Sequence, residues 1–437
     1  GRVEREGGRE MSAAEKEDGG MDPKILFLAA GVAGCGLGAI GLVSGVSDDD
    51  PRPLLGWLTG LGFWLSIGVG MLMLVMFFRV FNSSWGVVVR RQLEHCLSAF
   101  PVLAICFAPL LLIAWFGEEK SGILWEWMNP HNPLPDGHQV GQDILYEKKS
   151  GFLNVTFFSV RAFLYFGILI GLSHWLRKCS FEQDKDGDPK WTRLGHNISA
   201  GGIPLTALTL TFAAFDWFMS LEYQWFSTMY GVWFFAGSMR AGLAVTIIIC
   251  FFQSTRGRLQ GIYNQAHRYD LACLSLTFTI FWAYICFSQY FLIYHANIPE
   301  ETFWYQIREI DPNTGEKITW WWVSMGLIFG HFFAPFLYLL WYRNKIDVQR
   351  LLFAACWILT FHLLDVYWNV IPGRVISAGT EMGYVPRPFT IEIWDIAAIV
   401  GIGGFCGFRY LQSLNQTEVE DIPVRDPRIL ESLHHHE

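Results

Sequence analysis

Asp216 lies inside an apolar stretch running from Ile203 to Leu221. Arg161, Arg240, His331, His362, Asp365, Glu392 and Asp395 fall in other long apolar stretches of the same chain. A charge at the depth such stretches reach in a bilayer costs roughly 2.5–3.5 kcal/mol on insertion scales. Packing alone does not explain so many, so these residues are expected to face one another or a water-filled cavity. Spacing adds to this. His362 and Asp365 are three apart and share a helix face, as do Glu392 and Asp395. A histidine beside a carboxylate in low dielectric exchanges protons near neutral pH, because burial and the partner move both groups. Joined by Arg161 and Arg240, the two faces describe a proton-handling pocket. The competing reading is that the arginine–carboxylate pairs only tie helices together.

The elements that must position these residues are apolar helices. The chain has 437 residues, 52% hydrophobic and only 16% charged, proportions of a multispanning membrane protein. Ten stretches are long enough to cross the hydrocarbon: 25–45, 54–81, 95–116, 152–178, 199–221, 227–253, 269–294, 319–342, 346–371 and 389–412. Without hydrogen-bonding solvent, segments of this length must be helical. The expected fold is therefore all-α and integral to a membrane, with a polar tail over 1–24, a membrane domain over 25–412 and an acidic tail over 413–437.

Orientation follows from Lys and Arg, counted with the segment they adjoin. The tails and even-numbered loops hold 22, the odd-numbered loops 8, which places both termini in the cytoplasm. Asp216, Gln289, His362, Asp365, Arg161, Glu392 and Asp395 then fall in the outer half of the membrane, with Arg240 and His331 near its middle. The inner half reads as sparser. His174, Thr206, Thr209, Thr211, Ser275, Thr277 and Thr279 would line a hydrated path there, or simply bond their own backbones. Two outer loops, 117–151 and 295–318, are long and aromatic, as in Trp125-Glu126-Trp127 and Trp304-Tyr305. Loops of that kind dock a partner, close over a site or shield the bundle top. Gly34-x-x-x-Gly38 and Gly403-x-x-x-Gly407 mark the first and last spans as flanking helices in close contact with the bundle or another subunit.

Other features exclude functions. The net charge of −8 sits mostly in the two ends, and no basic stripe suggests nucleic acid. Cys35, Cys106, Cys250, Cys273, Cys286, Cys356 and Cys406 lie in apolar stretches, where thiols act as small hydrophobes. With no C-x-x-C and no C-x-x-C-H, the chain carries no signature of its own iron–sulfur cluster or haem c. Only His331 and His362 approach the matched depth that haem b would need. No metal ligand set is expected, and no cleavable signal peptide is evident before Ile25.

Two runs resemble a known family. The first is Thr211-Phe212-Ala213-Ala214-Phe215-Asp216-Trp217-Phe218-Met219-Ser220-Leu221-Glu222 with Tyr223-Gln224-Trp225-Phe226-Ser227-Thr228-Met229-Tyr230-Gly231. The second is Ser288-Gln289-Tyr290-Phe291-Leu292-Ile293-Tyr294-His295-Ala296-Asn297-Ile298-Pro299-Glu300-Glu301-Thr302. They resemble the ActF-type membrane subunits of bacterial alternative complex III, a quinol:cytochrome c oxidoreductase, within the NrfD-like, polysulfide-reductase-type superfamily. The likeness covers about residues 22–431, including Asp426-Pro427-Arg428. It implies two four-helix bundles, spans two to five and six to nine, with spans one and ten flanking. It also implies a bacterial cytoplasmic membrane, quinol or menaquinol as substrate of the complex, and several partners. Those are a second NrfD-like membrane subunit, an outer iron–sulfur protein and haem c subunits, within membrane lipid. The residues before Met21 depart from the pattern, and the likeness stops short of the run His434-His435-His436. The candidate proton-handling or quinone-related residues are Asp216, His362, Asp365, Arg161, Arg240, His331, Glu392, Asp395 and Gln289. A secondary ion or substrate transporter and a purely structural scaffold are the alternatives.

Overall fold

The computed structural model describes residues 22–115, 118–377, 380–416 and 421–433; most of the polar N-terminal tail, the start of the acidic C-terminal tail and the terminal histidine run lie outside them. The protein is an all-α, multi-pass integral membrane protein. Ten helices are long and apolar enough to span a membrane among the described residues. They are α1 Pro23–Asp48, α2 Arg52–Val80, α3 Gly86–Ile113, α4 Val155–Asp186, α5 Lys190–Glu222, α6 Tyr230–Thr255, α7 Gln265–Ala296, α8 Thr319–Leu340, α9 Val348–Val370 and α10 Ile393–Leu414. Several begin or end well outside the apolar stretches. A hydropathy reading stops at the first charges, whereas a helix packed against protein continues past them. The correction is largest for the third span. It starts at Gly86 rather than near residue 95, so Arg90, Arg91 and Glu94 belong to a buried helix and not to a loop.

Helices α2 and α6 form the centre. They approach so closely at Gly70 that a Cβ there would lie 1.9 Å from the Ser238 carbonyl oxygen. Helices α3 and α5 pack on α2 and carry α4 on their far side, while α7 and α9 contact α6 and carry α8. Helices α1 and α10 pack on each other and on α2. Their close contact uses Gly34 against Gly401, where a Cβ on Gly34 would sit 2.5 Å from the Gly401 Cα. Of the other motif glycines, Gly38 and Gly403 receive the rings of Trp57 and Trp64 from α2, and Gly407 that of Phe27 from α1. Small residues permit this approach where lipid offers no hydrophobic drive. Gly34→Leu is therefore expected to part α1 from α10 at a cost of about 1–3 kcal/mol or more. Lowered thermal stability in detergent with new proteolysis near residue 50 would report it; an unchanged midpoint would contradict the contact.

Helix α8 carries a π-helical segment, Leu327–Phe333, immediately before Pro335. Proline has no N–H to give the carbonyl four residues back, and here that carbonyl belongs to His331. The freed oxygen accepts from Arg240 Nη2 of α6 at 2.6 Å. Most other polar residues within spans serve their own backbones. Thr209, Thr211, Ser275, Thr277 and Thr279 each donate to the carbonyl four residues earlier, so these hydroxyls do not form a continuous hydrated path.

Four loops meet at one end of the bundle. Asp143 accepts from Tyr223 and Gln224, Trp225 stacks on Trp304 at 4.3 Å, and Arg308 donates to the carbonyls of Trp368 and Asn369. The fourth loop, after α9, holds a small hairpin that hydropathy does not reveal. Its strands β1 (Arg374–Ile376) and β2 (Tyr384–Pro386) pair antiparallel. The loops thus pack against the bundle and one another.

Candidate functional site

One buried group of chemistry-bearing side chains lies between α6, α8 and α9. Helix α9 presents His362 and Asp365 on one face, as their spacing predicts, and the π-segment of α8 brings His331 opposite them. One donor atom from each of His331, His362 and Asp365 lies within 4.8 Å of the others, and all three residues are buried. Asp365 Oδ2 accepts from Trp233 Nε1 of α6 at 3.3 Å and Trp282 Nε1 of α7 at 3.1 Å. Asn369, one turn along α9, donates to the Asp365 carbonyl. The His362 tautomer follows from its neighbour. Ser66 Oγ of α2 donates to the Phe63 carbonyl and lies 2.8 Å from His362 Nε2. With the hydroxyl hydrogen engaged, Nε2–H is the donor, and Nδ1 is left as an acceptor beside Gly237. A Cβ on Gly237 would come within 3.1 Å of the imidazole, so glycine here leaves room for the ring.

Many polar atoms around this group have no protein partner: both ring nitrogens of His331, Nδ1 of His362, Nε and Nη1 of Arg240, Oγ of Ser238 and Oδ1 of Asn369. Each would cost about 1–3 kcal/mol if left dry. Such a concentration suits a small hydrated site, since water satisfies mixed donors and acceptors. The two imidazoles and the carboxylate could also hold a divalent cation, a donor set that spacing along the chain does not reveal. Arg240 argues against one, because its guanidinium, over the Trp282 ring, places positive charge in the same low-dielectric space. The side chains are too enclosed to receive a quinone ring, His331 being fully buried and His362 2% exposed.

The other candidates go elsewhere, and the single cavity expected to hold Asp216 with His362 and Asp365 is replaced by separate groups. Asp216 of α5 takes both of its oxygens to Arg161 of α4, at 2.7 and 2.8 Å, and accepts from Tyr165 at 2.8 Å. Arg161 also donates to the Phe152 carbonyl, with its guanidinium 3.8 Å from that ring. This pair is saturated and reads as a helix tie. Asp395 and Glu392 do share a face, but at the start of α10. Glu392 precedes the first helical residue and its N–H is accepted by Asp395, so a helix cap accounts for their spacing. Asp395 further accepts two bonds from Arg52, at 2.7 and 2.5 Å. Gln289 accepts from Ser227 and donates to Tyr305, fastening α7 to the loops.

The opposite, tail end is the larger correction, for it is not sparse. Arg79, Arg90 and Arg91 surround Glu94, with N–O distances of 3.0, 3.1 and 3.4 Å, all buried. Arg90 reaches Asp426 of the C-terminal segment at 2.8 Å, and Arg91 reaches Asp184 at 2.5 Å. Burial alone would raise the Asp426 carboxyl, but Arg90 and Arg428 hold it well below the usual carboxylate range. The signal was present in the spacing of Arg90, Arg91 and Glu94, three and four apart, and was lost by treating them as a loop.

At the long-loop end, Glu126, Glu222, Arg374 and Arg387 line a cavity of about 220 Å³ with Leu55 and Val370. Arg374 pairs with Glu222 at 2.7 Å. Burial pushes the Glu126 carboxyl up to about 7, with Glu222 adding to the shift and Arg374 opposing it. A carboxyl raised in the folded state stabilises fully below its unfolded value near 4, and that contribution is lost as pH rises toward 7. Glu126→Gln is therefore expected to raise the thermal midpoint at pH 8 and to lose this advantage toward pH 5. A pH-independent difference would contradict the assignment.

No protein-family model matches the chain, and no curated protein matches it.

Proposed function

We propose that the chain is a proton-handling membrane subunit of a respiratory quinol:cytochrome c oxidoreductase of the alternative complex III type. The observation that carries this reading is the buried group of His331, His362, Asp365 and Arg240, rich in unpartnered polar atoms and too enclosed for a ring substrate. Asp365 supplies a carboxyl able to take and give a proton, His362 Nδ1 an acceptor beside it, and Arg240 a fixed positive charge that favours the ionised carboxylate. Quinol, when bound elsewhere in such a complex, supplies electrons and protons on oxidation. Electrons pass through neighbours, because this sequence has no signature of a haem c or iron–sulfur site. The proposed neighbours are a second NrfD-like membrane subunit, an outer iron–sulfur protein and haem c subunits, in a bacterial cytoplasmic membrane with both termini inside.

The two runs that resemble the family support the reading from another side, since they touch. Ser227 of the first donates to Gln289 of the second at 2.7 Å, and both belong to the end where the loops pack. That end is the proposed docking face for the iron–sulfur partner. A structural role is favoured for Arg161 and Asp216, whose pairing is complete, as for the Glu392–Asp395 cap and for Gln289.

Mild extraction from native membranes is expected to bring down haem c and iron–sulfur subunits with this chain, together with quinol-driven cytochrome c reduction. Once stripped of those partners, the chain should show neither signal. A chain that purifies alone and moves an ion or solute across vesicles would establish the transporter reading instead.

A further inference from the structure

A second cavity lies at the tail end, where α8 stops and α9 and α7 begin. It is open, about 530 Å³, and lined by Arg268, Arg343, Ile346, Asp347, Gln349 and Arg350. Three arginines meet one acid there, and Asp347 has one oxygen committed to capping α9 through the Arg350 N–H at 2.9 Å. Arg268 is held by the Ile346 carbonyl at 2.7 Å, and Arg350 leans on Asn344 at 3.2 Å. The Arg343 side chain is exposed and makes no hydrogen bond or ion pair among the described residues.

The surroundings say what kind of anion reaches this place. Trp341 and Tyr342 stand 72% and 57% exposed at the rim, the aromatic belt expected at the level of lipid headgroups. Toward the bundle middle, Leu337 and Phe353 are also exposed, giving acyl chains an apolar surface along α8 and α9. A basic pocket at headgroup depth with apolar walls on its membrane side suits an anionic lipid better than a soluble ion. We infer that Arg268, Arg343 and Arg350 form a binding site for the phosphate of an anionic phospholipid in the leaflet at the tail end, its acyl chains lying against α8 and α9. The site stands independently of the proton-handling group, though it sits at the junction of the two helices that carry His331 and His362.

The test uses the full chain, extracted with its accompanying subunits in mild non-ionic detergent and assayed for retained lipid by mass spectrometry. Wild type is expected to retain phosphatidylglycerol or cardiolipin in preference to phosphatidylethanolamine. Arg343→Gln with Arg350→Gln should reduce that retention about thirtyfold, at roughly one surface arginine's worth of attraction each. Arg343→Gln alone, at an exposed position with no side-chain contact to lose, should reduce it about fivefold and guards against misfolding of the double variant. Lys148→Gln, in a loop at the other end, should change nothing. Equal retention by wild type and both arginine variants would overturn the site. So would inorganic phosphate at millimolar concentration displacing the lipid, which would make the pocket a soluble-anion site.

Discussion

Asp365→Asn is expected to leave the protein assembled in the membrane while slowing quinol-driven cytochrome c reduction, or its coupled proton movement, by about a hundredfold, the scale of losing a positioned acid–base group. Asparagine keeps the shape of the side chain, and its amide oxygen can still accept from Trp233 and Trp282. Proton exchange is removed, together with the negative charge that Arg240 favours. His362→Gln makes the companion test, since the glutamine amide can still donate toward Ser66 while the Nδ1 acceptor disappears. Subunit content, haem spectra and thermal midpoint serve as controls for assembly. Unchanged rate and unchanged proton stoichiometry in both variants would reduce the group to a structural tie.

Glu94→Ala is expected to have the largest effect on stability, enough to deplete the folded protein from the membrane. The carboxylate is fully buried and is shared by Arg79, Arg90 and Arg91. Removing it leaves Arg79 without an ion-pair partner and Arg90 and Arg91 with only Asp426 and Asp184, and breaking even one buried pair typically costs about 3–5 kcal/mol. Glu94→Gln retains an acceptor and should be milder. Fluorescence-detected size exclusion of tagged variants measures the outcome. Wild-type abundance and midpoint for Glu94→Ala would show that the arginines find other partners.

The helices were legible because twenty apolar residues in a row leave the backbone no other way to satisfy itself. Local spacing was legible too, as His362 and Asp365 sharing a face illustrates. What spacing along one helix cannot say is which helix stands opposite. His331 joins Asp365 only because Pro335 opens the helix, and Asp216 is withdrawn from the site only because Arg161 and Tyr165 saturate it. Glu392 and Asp395 show a related limit, since a three-residue spacing serves a helix cap as readily as a catalytic face. Trp233, Trp282 and Ser66 could not be singled out at all, being common residues in apolar helices that matter through the groups they touch. The tail-end charges were missed for a different reason: hydropathy treats any charged segment as solvent-facing, and Arg79, Arg90 and Arg91 are balanced inside the protein by Glu94, Asp184 and Asp426.

The contact between α1 and α10 has a consequence for how the chain matures. Helix α1 finds its glycine-to-glycine partner only once α10 is inserted, after eight other spans. The clasp of Asp426 on Arg90 forms later still. Closure of this wall therefore waits for α10, a high-separation pairing that is slow for entropic reasons. A chain truncated before α10 would leave α1 with an exposed glycine stripe and Arg90 without Asp426.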